Sequence, residues 1–286
     1  MLKRGARAAW PRWAQVAAGV VGLVGAAPAA AADEGGTVVN CTANPAALQP
    51  AINAAAPGAK LLVKGTCTGP FTIDRDLTLL GRNRAVLNGN QVGPTVTVGA
   101  VQVRLDKLTI TNGKANLGGG ILNNAGGTVT LDDSTVERNT ASAGGGIFNS
   151  SGMVTLNDSR VERNTASAGG GIYNEVGVVT LDDSTLERNT AEGDGGGIDN
   201  GGGTVTLDDS TVERNTARFG GGIFNNGTGT VTLEDSTVER NTANGGSGSG
   251  GGILNSGVAV TLNDSTVRRN RPDNCAPPGS VADCTG

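Results

Sequence analysis

Three charged residues, Asp194, Asp199 and Arg218, are the strongest candidates for chemistry in this sequence. Each of them breaks the pattern of a repeated motif, and Glu175 and Glu192 depart from the pattern nearby. Positions that break a local rule are candidates for function. Two carboxylates can act as general acid and base or ligate a metal ion, and an arginine can neutralise an acidic group or abstract a proton. We therefore expect Asp194, Asp199 and Arg218 to be the catalytic set if the protein is an enzyme.

The chain of 286 residues contains no histidine. This composition excludes Ser-His and Cys-His dyads, imidazole metal ligands and histidine pH switches. General acid–base chemistry falls to Asp, Glu, Lys, Arg or the single tyrosine, Tyr173. The sequence holds 22 Lys plus Arg against 26 Asp plus Glu, a formal charge of −4.

Residues 1–32 have the pattern of an export signal. Lys3 and three arginines precede an apolar run from Val16 to Ala27, and an A-x-A cleavage site ends at Ala32. The run is shorter than the ~20 residues of a membrane span, although an uncleaved anchor is the alternative. Cleavage leaves an acidic chain, a poor partner for nucleic acid. We expect a secreted protein, extracellular or at the cell surface, with no membrane span after cleavage.

An internal repeat supplies the elements that must position these residues. Its unit reads G-G-G-I-x-N, then V-T-L-[DNE]-D-S, then T-V-E-R-N-T-A. A fixed period of roughly 20–50 residues is typical of solenoids. The isoleucine of the unit recurs at Ile121, Ile147, Ile172, Ile198, Ile223 and Ile253.

Each copy contains short β-favouring stretches separated by Gly, Asp-Ser or Asn-Thr turns. Pairs such as Ile147 and Asn149 have the spacing of two that places side chains on one face of a strand. We expect three strands per copy, and copies stacked ~4.8 Å apart so that each residue lies beside its counterparts. Asn139 and Asn164, at equivalent turns, are then expected to form an inward amide ladder.

The repeat divides the chain into regions. Residues 33–115 are expected to hold a cap and degenerate coils, residues 116–270 six regular repeats, and residues 271–286 a C-terminal cap. The segment Pro45–Ala56 has helical character, and a short helix there would cover the open end of the coil.

Four cysteines fit two disulfides better than a metal site. Cys41 and Cys67 lie 26 residues apart, close to one coil period, and Cys275 and Cys284 can close a short terminal loop. A zinc site built from all four would require the two ends of a solenoid to meet. We expect one disulfide at each end, as is typical of exported proteins.

The units GGGIFNSSGMVTLNDSRVERNTA and GGGIYNEVGVVTLDDSTLERNTA resemble those of bacterial secreted right-handed parallel β-helix proteins of the pectin-lyase-like superfamily. Their GG-I and N motifs are also similar to the repeats of polymorphic outer-membrane proteins. The resemblance covers roughly residues 37–270 and implies an all-β, right-handed parallel β-helix of three sheets and eight or nine turns. That superfamily contains lyases, hydrolases, tailspikes and adhesins, so the resemblance leaves function open.

One outer column of this coil follows the repeat isoleucine. An apolar or aromatic stripe there is a candidate ligand-binding face, although packing beneath the adjoining turns would also explain it. The predicted ligand-binding residues are Leu122, Phe148, Tyr173, Phe224 and Leu254.

A second column is acidic. Carboxylates stacked at every turn of the coil would repel one another, and bound Ca²⁺ would reduce this repulsion. Calcium is the one cofactor that the sequence suggests. Solvated turns, in which Asp and Ser bond their own backbone, are the alternative. The candidate metal ligands are Asp133, Asp158, Asp183, Asp209 and Asp235, and Asp264 continues the column.

Two further columns are expected to be structural. A Glu-Arg column running from Glu137 and Arg138 to Glu239 and Arg240 supplies solubilising charge. A threonine column beginning at Thr130 is similar to the ice-binding faces of some β-helical proteins, but threonine is also a good strand residue.

The regularity of the repeat favours binding over catalysis. The only sizeable insertion is Asn244–Gly250, whereas β-helix enzymes usually carry long insertions that wall a cleft. We expect a non-catalytic surface or extracellular binding and adhesion module, monomeric, directed toward polysaccharide or cell-surface glycan. The alternative is a lyase or glycoside hydrolase that acts on acidic polysaccharide, and ice binding is a third possibility.

Overall fold

A computed structural model of the protein describes residues 35–284. This part of the chain is a right-handed parallel β-helix of about nine turns, as predicted from the repeat. The predicted export signal, residues 1–32, lies outside the described residues. No helix between residues 35 and 284 combines the length and apolar content of a membrane span.

Three parallel sheets run along the coil. Sheet 1 receives two strands from each regular repeat, because the long strand Gln102–Thr111 pairs with both Thr128–Asp132 and Thr135–Glu137 and joins the two sets of strands. The strands of sheet 1 are Thr37–Asn40, Ala59–Thr68, Leu77–Asn88, Gln102–Thr111, Thr128–Asp132, Thr135–Glu137, Met153–Asn157, Arg160–Glu162, Val178–Asp182, Thr185–Glu187, Thr204–Asp208, Thr211–Glu213, Thr230–Glu234, Thr237–Glu239, Ala259–Asn263 and Thr266–Arg268.

Sheets 2 and 3 are built from shorter strands. The strands of sheet 2 are Lys114–Leu117, Thr140–Ala143, Thr165–Ala166, Thr190–Ala191, Thr216–Ala217 and Thr242–Ala243. The strands of sheet 3 are Phe71–Ile73, Val96–Val98, Ile121–Asn123, Ile147–Asn149, Ile172–Asn174, Ile198–Asn200, Ile223–Asn225, Ile253–Asn255 and Cys275–Ala276. The two-residue strands of sheet 2 were not expected, because T-A is too short to show an alternating pattern.

The interior is a set of aliphatic columns. Ile172, Val179, Leu181 and Leu186 of one repeat are all fully buried, and the corresponding residues of the other regular repeats before Ala259 are equally buried. Register pairing places identical residue types above one another, for example Ile147 beside Ile172. This narrow interior, filled by small branched side chains, explains how the coil forms with few aromatic residues.

Asparagine side chains close two corners of every regular turn of the coil. At the corner between sheets 1 and 2, Asn164 Oδ1 accepts from the backbone N of Asn139 at 3.0 Å and from its Nδ2 at 3.1 Å. This confirms the predicted amide ladder. A second ladder follows sheet 3, where Asn123 Nδ2 donates to Asn149 Oδ1 at 2.8 Å. Stacked amides satisfy buried polar groups at turns that would otherwise leave backbone unpaired.

Both ends carry the expected reinforcement. The helix α1, Leu48–Ala54, lies inside the predicted segment and buries Leu48 and Ile52 completely. Disulfides join Cys41 to Cys67 near this end and Cys275 to Cys284 at the other, which confirms both predicted pairs. Paired cysteines are typical of proteins from oxidising compartments.

Candidate functional site

The outer face of sheet 3 holds the predicted ligand-binding column. Strand register places side chains of this column directly above one another, from Leu122 through Phe148 and Tyr173 to Asp199, Phe224 and Leu254. Phe148 and Asp199 are each only 5% exposed, and the other members are half-buried. The column is therefore partly covered rather than open to solvent along its length.

Phe148 and Tyr173 form a parallel ring stack. Their centroids are 5.3 Å apart and the ring planes differ by 5°. Because one face of each ring is occupied by the other, the half-buried Tyr173 offers its edge and its second face, which lies toward Asp199. Stacked aromatic pairs of this kind contribute about 0.5–1.5 kcal/mol beyond the area they bury.

The glycine corner of each repeat folds over this column. Gly195 has φ +61°, and a Cβ on it would lie 2.6 Å from the Cβ of Asp199. Gly169 and Gly220 lie in the same way against Tyr173 and Phe224. Only glycine permits both the positive φ and the close approach, so the first glycine of each triplet is required for the cover.

Asp199 is a buried carboxyl at the centre of the column. Burial raises the pKa of Asp199 to about 7, and the negative charge of Asp194 adds to the rise. Among residues 35–284 its side chain makes no hydrogen bond or ion pair. A carboxyl with this pKa exchanges its proton near neutral pH, which is the property required of a general acid or base.

Asp194 lies on the turn that covers Asp199, and Arg218 lies on the equivalent turn of the next copy, which covers Phe224. Asp194 pairs as a backbone bridge with Phe219, so the acidic turn and the turn of Arg218 are adjacent. Burial raises the pKa of Asp194, and the positive charge of Arg218 opposes that rise. Arg218 itself is exposed, with its guanidinium 5.2 Å from the ring centroid of Phe219. Within the predicted catalytic set, Asp194 thus interacts electrostatically with both Asp199 and Arg218.

Tyr173 belongs to the same charged cluster. Burial raises the pKa of its phenol, and Asp199, Glu175 and Asp194 raise it further through their charges. Glu175 is exposed and accepts a hydrogen bond from Ser150 Oγ at 2.9 Å. Sequence reasoning placed Tyr173 in the apolar stripe and missed this coupling. The available signal was that Tyr173 and Asp199 occupy the same repeat position on successive copies.

The acidic column lies at the corner within sheet 1. Asp133, Asp158 and Asp183 have φ of 46–47°, and the later members of the column share this left-handed conformation. Asp is among the few residues that adopt this conformation readily. The backbone geometry of the corner therefore explains why Asp recurs at this position. Burial, followed by the charges of Asp183, Asp208, Asp158 and Asp209, raises the pKa of Asp182 beside the column.

No group of three potential metal-ligating side chains occurs within residues 35–284. The corner of Asp133, Asp158 and Asp183 borders a cavity of about 250 Å³ that also contains Arg160, a cation that would compete with a bound metal. Calcium binding by this column stays a prediction, which equilibrium dialysis with Ca²⁺ can test.

The threonine column lies on the outer face of sheet 1. Thr130, Thr155 and Thr180 are half-buried neighbours in register, and the column continues to Thr261. Only some repeats carry a second threonine on the same strand face, such as Thr204 beside Thr206. Ice binding stays a prediction that a thermal-hysteresis measurement can test.

Comparison with known proteins adds a likeness of fold. No protein-family model matches the sequence, and no curated protein matches it. Among solved structures, the chain is similar to the crystal structure of pectate lyase Pel9A, with 16% sequence identity and a TM-score of 0.48. The match covers 80% of this chain and 66% of that chain, so this protein spans about two thirds of the length of that lyase.

Proposed function

We propose that this protein is a secreted, non-catalytic module that binds glycans through the outer face of sheet 3. The observation that carries the proposal is the Phe148–Tyr173 ring stack within an apolar column on that face. Sugar rings pack their C–H faces against apolar and aromatic surfaces, and contiguous patches of that kind mark binding sites.

The surface beside Tyr173 extends this patch. A Cβ on Gly201 would lie 3.5 Å from Tyr173 Oη, and one on the adjacent Gly202 would lie 3.7 Å from Val176 Cγ1. Val176 is 62% exposed and Met153 is 46% exposed. Tyr173 and Val176 therefore lie beside the Gly201–Gly202 turn of the next copy and extend the apolar patch to it.

Charge around Tyr173 selects among glycans. Glu175 is an exposed carboxylate and Asp194 is a half-buried one, on which Arg218 acts with a positive charge. Carboxylates accept hydrogen bonds from hydroxyl and ammonium groups and repel other carboxylates. The ligand we propose is a neutral or amino-sugar glycan rather than a polyuronide.

The burial of Asp199 supports binding over catalysis. A catalytic acid or base must reach the atom whose proton it transfers. Asp199 is 5% exposed and lies under the Gly195 turn, so a substrate would have to displace that turn to reach the carboxyl. The polysaccharide lyase or hydrolase alternative would require this displacement of the Gly195 turn. Binding of a ligand at the surface of the column requires no displacement.

Affinity electrophoresis with neutral, amino and uronic glycans tests the proposal. We expect retardation by at least one neutral or amino glycan, and about tenfold weaker binding by Tyr173→Ala. Val92→Ala truncates an apolar side chain that is 58% exposed in another part of the coil, and this variant should bind like the wild type. Equal binding by Tyr173→Ala and the wild type would overturn the proposal. Release of reducing ends or of unsaturated products from these glycans would favour the enzyme alternative.

A further inference from the structure

In the last copy the motif T-V-E-R-N-T-A reads T-V-R-R-N-R-P, and two of its three departures are arginines. Arg268 pairs in register with Glu239, where the preceding five copies all carry glutamate. Arg271 forms a bridge with Thr242, where the preceding five copies all carry threonine. The two positions flank the Arg-Asn corner, so the changes converge on one place in the fold.

A cavity of about 570 Å³ lies at this corner. It is lined by Arg240, Asn241, Thr242, Arg269, Asn270 and Arg271. Three of these six residues are arginines, and the cavity contains no acidic residue. The cavity lining is therefore positively charged, whereas the whole sequence is acidic, with 26 acidic residues against 22 basic ones.

The usual charge compensation fails here. In earlier copies each corner arginine pairs with the glutamate before it, as Arg163 Nη1 does with Glu162 Oε1 at 2.6 Å. In the last copy Arg268 occupies the glutamate position, and it pairs at 3.0 Å with Glu239 of the preceding copy, which also pairs with Arg240. Arg269 and Arg271 are exposed, and neither side chain makes an ion pair or hydrogen bond with any residue between 35 and 284. Two guanidinium groups thus remain available beside the cavity.

We infer that this corner binds the phosphate or sulfate groups of an anionic ligand. The planar guanidinium presents N–H donors in a fork that matches two oxygens of a tetrahedral oxyanion. Arg269 and Arg271 would supply these forks, and Arg240 would add positive charge from the neighbouring copy. A local concentration of one charge attracts such ligands although the chain as a whole is acidic.

Protection of the open sheet edge does not explain the arginines. The last strands of sheet 1, Ala259–Asn263 and Thr266–Arg268, have no following partner, and charged side chains often guard such edges. Arg268 lies on the edge strand and is paired with Glu239. Arg269 lies beyond this strand, and Arg271 continues sheet 2 through its backbone bridge with Thr242, but the side chains of both residues line the cavity.

Calorimetric titration of the full chain tests the inference, with phosphate, sulfate and tripolyphosphate titrated separately at low ionic strength. The test variant is Arg268→Glu with Arg271→Thr, which restores the residues that five other copies carry and should therefore preserve the fold. Arg160→Thr is the matched control, since it also restores the repeat residue and removes one positive charge from a distant copy.

We expect the wild type to bind tripolyphosphate more tightly than either single ion, with the affinity falling as salt is added. The double variant should bind about tenfold more weakly or not at all, and Arg160→Thr should bind like the wild type. Separate phosphate and sulfate titrations identify which oxyanion the corner prefers. Absence of binding by the wild type, or equal binding by the double variant, would overturn the inference.

Discussion

Tyr173 and Asp199 are register partners on adjacent strands of sheet 3, so a half-buried phenol and a buried carboxyl are neighbours on its outer face. Burial raises the pKa of both groups, and each negative charge in the cluster makes the next one harder to form. The titration of Tyr173 therefore reports on the charge of Asp199.

The stability of the protein should depend on the protonation of Asp199. Its pKa is about 7 in the folded state against an ordinary value of 3.8, so the folded state holds a proton that the unfolded chain releases. Stability is lost as the pH rises from about 4 to about 7, and the loss is complete above that value. The gap corresponds to roughly 4 kcal/mol at most.

Asp199→Asn should remove this dependence, because the amide carries no charge. In urea unfolding we expect the advantage of the variant over the wild type to grow by roughly 2–3 kcal/mol between about pH 5 and pH 8. Asp158→Asn, at an exposed corner, removes one charge without changing a buried carboxyl and serves as the control. A constant difference between Asp199→Asn and the wild type would show that Asp199 is not a buried titrating group.

The phenol of Tyr173 should ionise above its ordinary range. Burial is the largest cause, and the charge of Asp199 is the next. Asp199→Asn should therefore lower the pKa of Tyr173 while leaving it above that of a free phenol. Because the chain has one tyrosine, the ultraviolet absorbance of the phenolate measures this group alone. Identical titration curves for the two proteins would contradict the coupling.

Loss of one rung of an asparagine ladder should be costly. Asn189 is fully buried, accepts from the N and Nδ2 of Asn164, and donates Nδ2 to Val161 O at 2.9 Å. Asn189→Ala removes these three hydrogen bonds and should lower the free energy of unfolding by about 2–4 kcal/mol. Asn226→Ala, at an exposed turn, should change it by less than about 0.5 kcal/mol. Comparable losses for the two variants would argue against the ladder.

The glycine turn that packs on Asp199 should tolerate no side chain at Gly195. A Cβ there would lie 2.6 Å from the Cβ of Asp199 at a φ of +61°. Gly195→Ala should destabilise the protein by about 1–3 kcal/mol, as seen for strained left-handed residues. Gly201→Ala adds a methyl group whose nearest contact is 3.4 Å away, and thermal unfolding should show little change. Equal melting temperatures for Gly195→Ala and the wild type would mean that the turn does not pack on Asp199.

The fold could be predicted because its signals are local and repeated. The spacing of Ile147 and Asn149 gives a strand face, and six copies of the unit indicate a coil. Burial of Asp199 could not be predicted, because it depends on a turn from the same copy that folds back across the outer face. The pairing of Arg268 with Glu239 was equally hidden, since it joins residues 29 positions apart in different copies.

The asparagine ladders also give the coil an electrical polarity. In both ladders each Nδ2 donates toward the next copy, from Asn139 to Asn164 and from Asn123 to Asn149. Amide dipoles aligned head to tail add, as the peptide dipoles of an α-helix do. In the ladder that begins at Asn139, each Oδ1 accepts from the preceding copy, and one hydrogen of each Nδ2 is donated to the next copy. Two interior columns of uncharged side chains therefore contribute a dipole along the coil axis, independently of any charged residue at the surface.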